Sequence, residues 1–310
     1  MKTRKRIFRI LYIVLGSMLA LLGIASLILY TQQERLTKMA LRELNKQLPG
    51  DLVVGGSNIA PFENFPYVSI GLKDVTFYAN KQHTGKPLYK VERLFVGFSL
   101  PDVIRQKFNI KALVVKNGYL HLVKEQNGKI DIVEANRIQS DSAAATAVES
   151  SPMNLDIKKI ILRNLDISYT DKVMGSHVAT HIDKIKTSFK MDGDLIDATM
   201  EGKQVIDYTT PHDTVLFRRK NIETNLKLSY DSKKQLLNLP VGRLKLEQAS
   251  FNITGSLDMS RGNLVDIKLE GDKPDLNLLL SFAPASVTEQ LNHFKYDGRI
   301  SFKGIMKGKL

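Results

Sequence analysis

The side chains best equipped for chemistry in this chain are six histidines, at His83, His121, His177, His181, His212 and His293, and a scatter of carboxylates. His177 and His181 have the i, i+4 spacing with which a helix brings two imidazoles onto one metal ion. Val178 and Ile182 beside them make the context strand-like, and there the same spacing does not converge, so solvent-facing histidines and no metal site are expected. Asp192, Asp194 and Asp197 surround Gly193, the pattern of a turn with solvated acids more than of a calcium loop. Gly85-Lys86-Pro87 lacks the first glycine and the following helix of a phosphate loop, and no G-x-S-x-G elbow occurs. Asn252-Ile253-Thr254 is a glycosylation sequon that falls mid-strand. Cysteine is absent, which excludes disulfides, thiolate metal sites and a lipobox. No nucleophile, base and oxyanion partner assemble, so the expectation is a protein that is not an enzyme and needs no cofactor.

Whatever the chain does is therefore set by its elements, and the first of these is Ile10 to Tyr30, an uncharged apolar run. A helix needs roughly 20 apolar residues to cross a hydrocarbon core of about 30 Å, and this run has that length. Lys2, Arg4, Lys5, Arg6 and Arg9 precede it, and the first acid is Glu34. By the positive-inside rule the N-terminus is cytoplasmic and the remainder lies across the membrane. The rival reading is a cleaved signal peptide, from the small pair Gly23 and Ala25 before Ser26. Against it, the run continues through Leu27, Ile28 and Leu29.

The net charge of +13 includes the five basic residues of that flank. The remaining lysines mostly alternate with apolar residues, as in Leu226-Lys227-Leu228 and Ile267-Lys268-Leu269, which places them on the solvent side of strands. Without a basic cluster interleaved with aromatics, nucleic acid is not an expected partner.

Residues 31–48 form an expected juxtamembrane amphipathic helix, with Leu36, Met39, Ala40 and Leu44 on one stripe and Pro49-Gly50 as its stop. From Leu52 onward the period becomes two, so the fold class is mainly β. Turn signals stand at Asn127-Gly128, Asp192-Gly193, Asp231-Ser232 and Arg261-Gly262-Asn263. Short helices are expected near Pro101–Lys107 and within Asp275–Asn292. The parts are then a basic flank (1–9), a span (10–30), the helix (31–48), a first β part (49–138), a flexible linker or loop without bulky apolar residues (139–152) and a second β part (153–310) whose abrupt end suggests truncation.

One pattern is more specific than alternation. Ile70 and Leu72 are followed by Asp74 and then Val75 and Phe77; Leu113 and Val115 by Asn117 and then Leu120 and Leu122. Ile160 and Leu162 lead to Asn164, then Ile167; Leu244 and Leu246 lead to Gln248, then Phe251 and Ile253. At each polar residue the parity of the apolar positions switches. A β-bulge at Asp74, Asn117, Asn164 and Gln248 returns both apolar pairs to one face and bends the strand. Bends at one height would fold the sheet lengthwise into a trough, while an ordinary β-sandwich with bulged strands is the alternative.

Along the chain the anchor is followed by Leu48-Pro49-Gly50, then by Phe98-Ser99-Leu100-Pro101 through Phe108 to Gly118, by Asn127-Gly128, by Ile157 to Tyr169, and by Asp275 to Leu279 ahead of the strand Gly298 to Gly308. In these features the chain resembles the AsmA-like family of bacterial envelope proteins over nearly its whole length. Asp131 departs from the asparagine that members often carry after the turn. The resemblance implies an elongated, strongly bent antiparallel β-sheet forming a U-shaped groove with an apolar floor. It also implies an inner-membrane anchor, a periplasmic groove and a longer chain. The expected partners are phospholipids and the inner membrane, with outer-membrane components or other envelope proteins beside them. Leu113, Val115, Leu120, Leu122, Ile160, Leu162, Ile167, Leu244, Leu246, Phe251 and Ile253 are the expected floor. The alternatives are a non-enzymatic scaffold for outer-membrane protein assembly, or a secreted β-sandwich binding module if the signal is cleaved.

Overall fold

The structure is a computed structural model of the chain. It describes residues 2–47, 49–105, 107–131, 155–209, 215–247, 249–271 and 301–309.

The chain begins with a single helix, α1 (Lys2–Gln47). Span and following helix are thus one uninterrupted element, because no proline or other breaker stands between them before Pro49. Its 46 residues make it roughly 70 Å long. Gly16–Arg35 is a stretch of it long and apolar enough to cross a membrane. The side chains of the stripe Leu36, Met39, Ala40 and Leu44 lie outside the described residues.

Strands follow: β1 (Asp51–Val53), β2 (Gly56–Asn64), β3 (Tyr67–Tyr78), β4 (Tyr89–Phe98), the short helix α2 (Leu100–Ile104), then β5 (Ile110–Lys124), β6 (Leu155–Asp171), β7 (Ser176–Asp192), β8 (Leu195–Thr209), β9 (Val215–Asp231), β10 (Leu236–Leu246), β11 (Ala249–Asp258), β12 (Leu264–Gly271) and β13 (Phe302–Lys309). They make one sheet in chain order from β1 and β3 to β13, with β2 as a further partner of β3. The sheet is not closed, since β1 and β13 are its ends. The chain divides into two units, and the division within β5 falls between Lys116 and Asn117. The linker 139–152 and the helix expected within Asp275–Asn292 lie outside the described residues.

In the first unit α1 buries a stripe at i, i+3 and i+7. Leu22, Ala25 and Leu29 pack on Val68 and Ile70 of β3, Phe98 of β4 and Val103 of α2. α2 is capped by the Ser99 hydroxyl, which accepts from the Asp102 N–H at 3.3 Å, and Pro101 sits in its first turn, where a missing N–H costs nothing. At the other end of α1 the Asn45 amide imitates a strand. It donates to the Leu52 carbonyl at 2.8 Å and accepts from the Leu52 N–H at 2.7 Å, and the Lys81 ammonium donates to the Asn45 carbonyl.

In the second unit short turns join β6 to β7, β7 to β8, β9 to β10 and β11 to β12 as antiparallel pairs. Three of these turns open on an aspartate whose carboxylate accepts backbone N–H groups ahead of it: Asp171 from Val173 and Met174, Asp231 from Lys234, and Asp258 from Arg261. The neighbours β5 and β6 differ from the antiparallel pairs around them. Their contacts, Asn117 with Asn164, His121 with Ser168, Lys124 with Asp171 and Glu125 with Lys172, keep a constant offset of 47 residues. A constant difference in residue number, where antiparallel strands keep a constant sum, means that the two strands run the same way.

Candidate functional site

Three of the four polar residues at the parity switches adopt left-handed backbone. Asp74, Asn117 and Asn164 have φ of 50°, 55° and 51°, and Asp and Asn are the non-glycine residues that enter this region most readily. The device differs from an inserted bulge residue. β3 and β4 keep one register across Asp74, from Lys73↔Arg93 to Val75↔Val91. β6 and β7 do the same across Asn164, from Arg163↔Lys184 to Leu165↔Ile182. The left-handed residue itself reverses the alternation. The extra residue stands one strand further on, where β7 shifts against β8 between Ile182 and Lys184.

Gln248 lies outside the described residues. The switch around it is not a bend within a strand: β10 ends at Leu246, β11 begins at Ala249, and those two residues are partners. Glu247 between them has φ 52°, and a tight hairpin changes parity just as a bend does. Leu244 and Phe251, read along one strand in the sequence, are cross-strand partners.

Register brings the second-unit candidates onto one face. One row runs from Leu162 to Ile185, Gly202, Thr224, Leu244 and Phe251. The next runs from Ile160 through Thr187, Met200, Leu226, Gly242, Ile253 and Leu269. Ile167 faces Thr180, and Leu246 faces Ile222 and Ala249. Leu120 and Leu122 flank His121, which contacts Ser168, so they share a parity opposite to that polar side. Most of these side chains are half-buried, whereas Phe251 is buried. With strands about 4.8 Å apart, the face from β6 to β13 is roughly 34 Å across.

Within this unit the face is crowded. A Cβ on Gly242 would lie 2.6 Å from Ile253 Cγ2 and 2.8 Å from Leu226 Cδ2, and one on Gly202 would lie 2.6 Å from Ile185 Cγ1. Side chains of neighbouring strands lean over the two glycines, as they do where a sheet curves toward the face that carries them. The reverse side is polar. Lys186, Glu201, Asn225, Arg243, Asn252, Glu270 and Lys303 succeed one another across it. Glu223 lies 3.2 Å from Lys203 and 3.9 Å from Lys245.

In the first unit the predicted Leu113 and Val115 are half-buried, and the fully buried side chains of β5 are Ala112 and Val114, of the opposite parity. Ala112 Cβ lies close to where Gly97 would carry a side chain, and Lys116 covers the Phe95 ring at 5.3 Å from its centroid. Leu113 and Val115 therefore share the side of β5 away from Phe95 and Gly97. The sequence reading missed the Ala112–Val114 side because small and β-branched residues alternate there with larger ones.

The histidines are spread over separate partners. His121 Nδ1 lies 2.6 Å from Ser168 Oγ, His181 Nδ1 2.7 Å from Asp166 Oδ1, and His177 Nδ1 2.9 Å from Thr170 Oγ1. Among the described residues no group of three or more histidines and acids could hold a metal ion. The perturbed carboxylates belong to the turns. The Met174 N–H above all lowers the Asp171 pKa, the Lys234 N–H that of Asp231, and the Ser260 hydroxyl that of Asp258. Asp171 in turn raises the pKa of Lys124 through their 3.0 Å hydrogen bond.

No curated protein matches the chain. A family model does: that of the AsmA family matches residues 4–293. An open, β-rich sheet behind an N-terminal apolar helix is thus the form taken here by a member of the AsmA family, an envelope-associated group to which this chain belongs.

Proposed function

We propose that this chain is a non-enzymatic lipid carrier, anchored by α1 in the bacterial inner membrane with its N-terminus in the cytoplasm and its sheet in the periplasm. The sheet binds phospholipid and conducts it between inner and outer membranes in the upkeep of the outer membrane. The observation that carries this reading is the continuity of the two apolar rows from β6 through β12, on which no charged residue stands. Each methylene taken out of water on such a face contributes about 0.8 kcal/mol. The rows offer hydroxyls such as Thr187 and Thr224 but no charged clamp, so a chain can slide from row to row and selectivity for headgroup is low. The basic flank of α1 and its single apolar stretch support the orientation.

The test is lipid carried through purification of the full chain in mild detergent, read by native mass spectrometry. Leu162→Asp together with Leu244→Asp should remove bound phospholipid while the far-UV spectrum stays that of a β protein. Lipid retained at the wild-type level by a folded double variant would refute the proposal.

A further inference from the structure

We infer that the β2–β3 hairpin and α2 are themselves immersed in the outer half of the bilayer that α1 crosses. The inference rests on α1 spanning the membrane. Two exposed tyrosines, Tyr12 and Tyr30, stand on the helix, about 27 Å apart along its axis. Tyrosines at both interfaces of a hydrocarbon core of about 30 Å are the usual arrangement. Between them Leu19, Ile24 and Leu27 are exposed, as lipid-facing side chains are, while Leu22, Ala25 and Leu29 are buried against the protein.

That burial sets the depth of the sheet. Val68, Ile70, Phe98 and Val103 form one buried cluster with the helix stripe, which begins about 12 Å below Tyr30. The direction of β3 follows from its two ends. Val68 is beside the stripe, while Phe77 pairs with Leu52, which is hydrogen-bonded to Asn45. Val68 to Phe77 is about 30 Å of strand, and Ala25 to Asn45 is about 30 Å of helix. The strand therefore runs along the helix, and the hairpin before Val68 points into the membrane.

The chemistry of that end agrees. Phe62 and Phe65 in the hairpin and Ile104 on α2 are exposed, an expense in water that acyl chains remove. The nearest charges have partners: Glu63 pairs with Lys116, and Lys111 is hydrogen-bonded to Asp156 and lies 3.9 Å from Asp102. Arg105 and Lys107, exposed just past α2, can reach lipid phosphates with their heads while their stems lie in the apolar layer. The occupant of this apolar surface is thus the acyl region of the leaflet into which α1 passes, so the edge of the sheet meets lipid tails directly.

The chain contains no tryptophan, so single replacements report without background. Full-length Phe62→Trp, Ile104→Trp, Leu19→Trp and Val241→Trp would each be reconstituted in phosphatidylethanolamine–phosphatidylglycerol vesicles containing acyl-brominated phosphatidylcholine. Leu19→Trp, Phe62→Trp and Ile104→Trp should emit in the blue and lose most of their fluorescence to bromine, while Val241→Trp on β10 should keep its own. If Leu19→Trp is quenched but the hairpin and α2 probes behave like Val241→Trp, immersion is wrong and the anchor stands. If Leu19→Trp is not quenched either, both fail together.

Discussion

The Asn164 side-chain amide donates a 2.9 Å hydrogen bond to the Asn117 side chain, and both residues have left-handed backbone. Two adjacent strands thus reverse their alternation at the same height, and the bond between the two amides ties the reversals together. Asn164 should accept glycine, which loses only a solvent-exposed hydrogen bond. A β-branched replacement should cost about 1–2 kcal/mol, because its Cβ meets the following carbonyl in this conformation. Urea unfolding of Asn164→Gly and Asn164→Val checks this; equal midpoints would mean that the backbone can relax out of the left-handed region.

Gly242 lies under Leu226 and Ile253, with no space for a Cβ. Gly242→Val should force one of those side chains from its rotamer and destabilise the protein by about 1–3 kcal/mol, the usual cost of overpacking. The thermal midpoint should fall, and lipid retention should fall with it because the row is blocked. Gly128→Ala makes a useful contrast, since open space surrounds Gly128 and its φ of 79° gives a purely conformational cost.

Ala25 has no exposed surface where α1 meets Val68, Ile70, Phe98 and Val103. Ala25→Phe should separate helix from sheet, with a loss of stability of about 1–3 kcal/mol. Faster proteolysis of the β2–β3 hairpin in detergent is the expected readout. Leu27→Phe, on the exposed side of the same helix, should leave the cleavage rate unchanged.

The aspartates of the turns predict the acid limb of stability. Asp171, Asp231 and Asp258 all have folded-state pKa values lowered below the ordinary aspartate value by the hydrogen bonds they accept. A lowered folded value means that the carboxylate stabilises the fold at any pH above the ordinary one. That contribution is lost as pH falls through the folded values. Circular dichroism followed downward from pH ~5 should show hairpin loss beginning near the ordinary aspartate range. The Asp171→Asn, Asp231→Asn, Asp258→Asn triple variant should be weaker at neutral pH and flatter in acid. An unchanged acid midpoint in that variant would assign the transition to other groups.

Much of this arrangement was legible in the residues. Alternation from Leu52 onward gave strands, the turn dipeptides gave the β7–β8, β9–β10 and β11–β12 hairpins, and the parity changes at Asp74, Asn117 and Asn164 located three backbone reversals. The fourth failed for a definite reason: around Gln248 a two-residue hairpin and a bend within a strand produce the same apolar spacing, and only pairing partners distinguish them. Pairing also hid the common direction of β5 and β6, since a strand pattern carries no sign. The packing of Leu22, Ala25 and Leu29 on Val68 and Phe98 was invisible because every position of an apolar run looks equally fit for lipid. A stripe that meets protein differs only in what faces it.

The bonds between Asn45 and Leu52 give the anchor a mechanical meaning. α1 is held to the β strands at two places, by packing at Leu22–Leu29 and by the paired amide bonds near its end, with no glycine or proline between them. A helix clamped twice has no joint, so it cannot swivel independently of β1 and β3. Torque applied to α1 from inside the bilayer is delivered to these strands undiminished, and the tether is a crankshaft more than a leash.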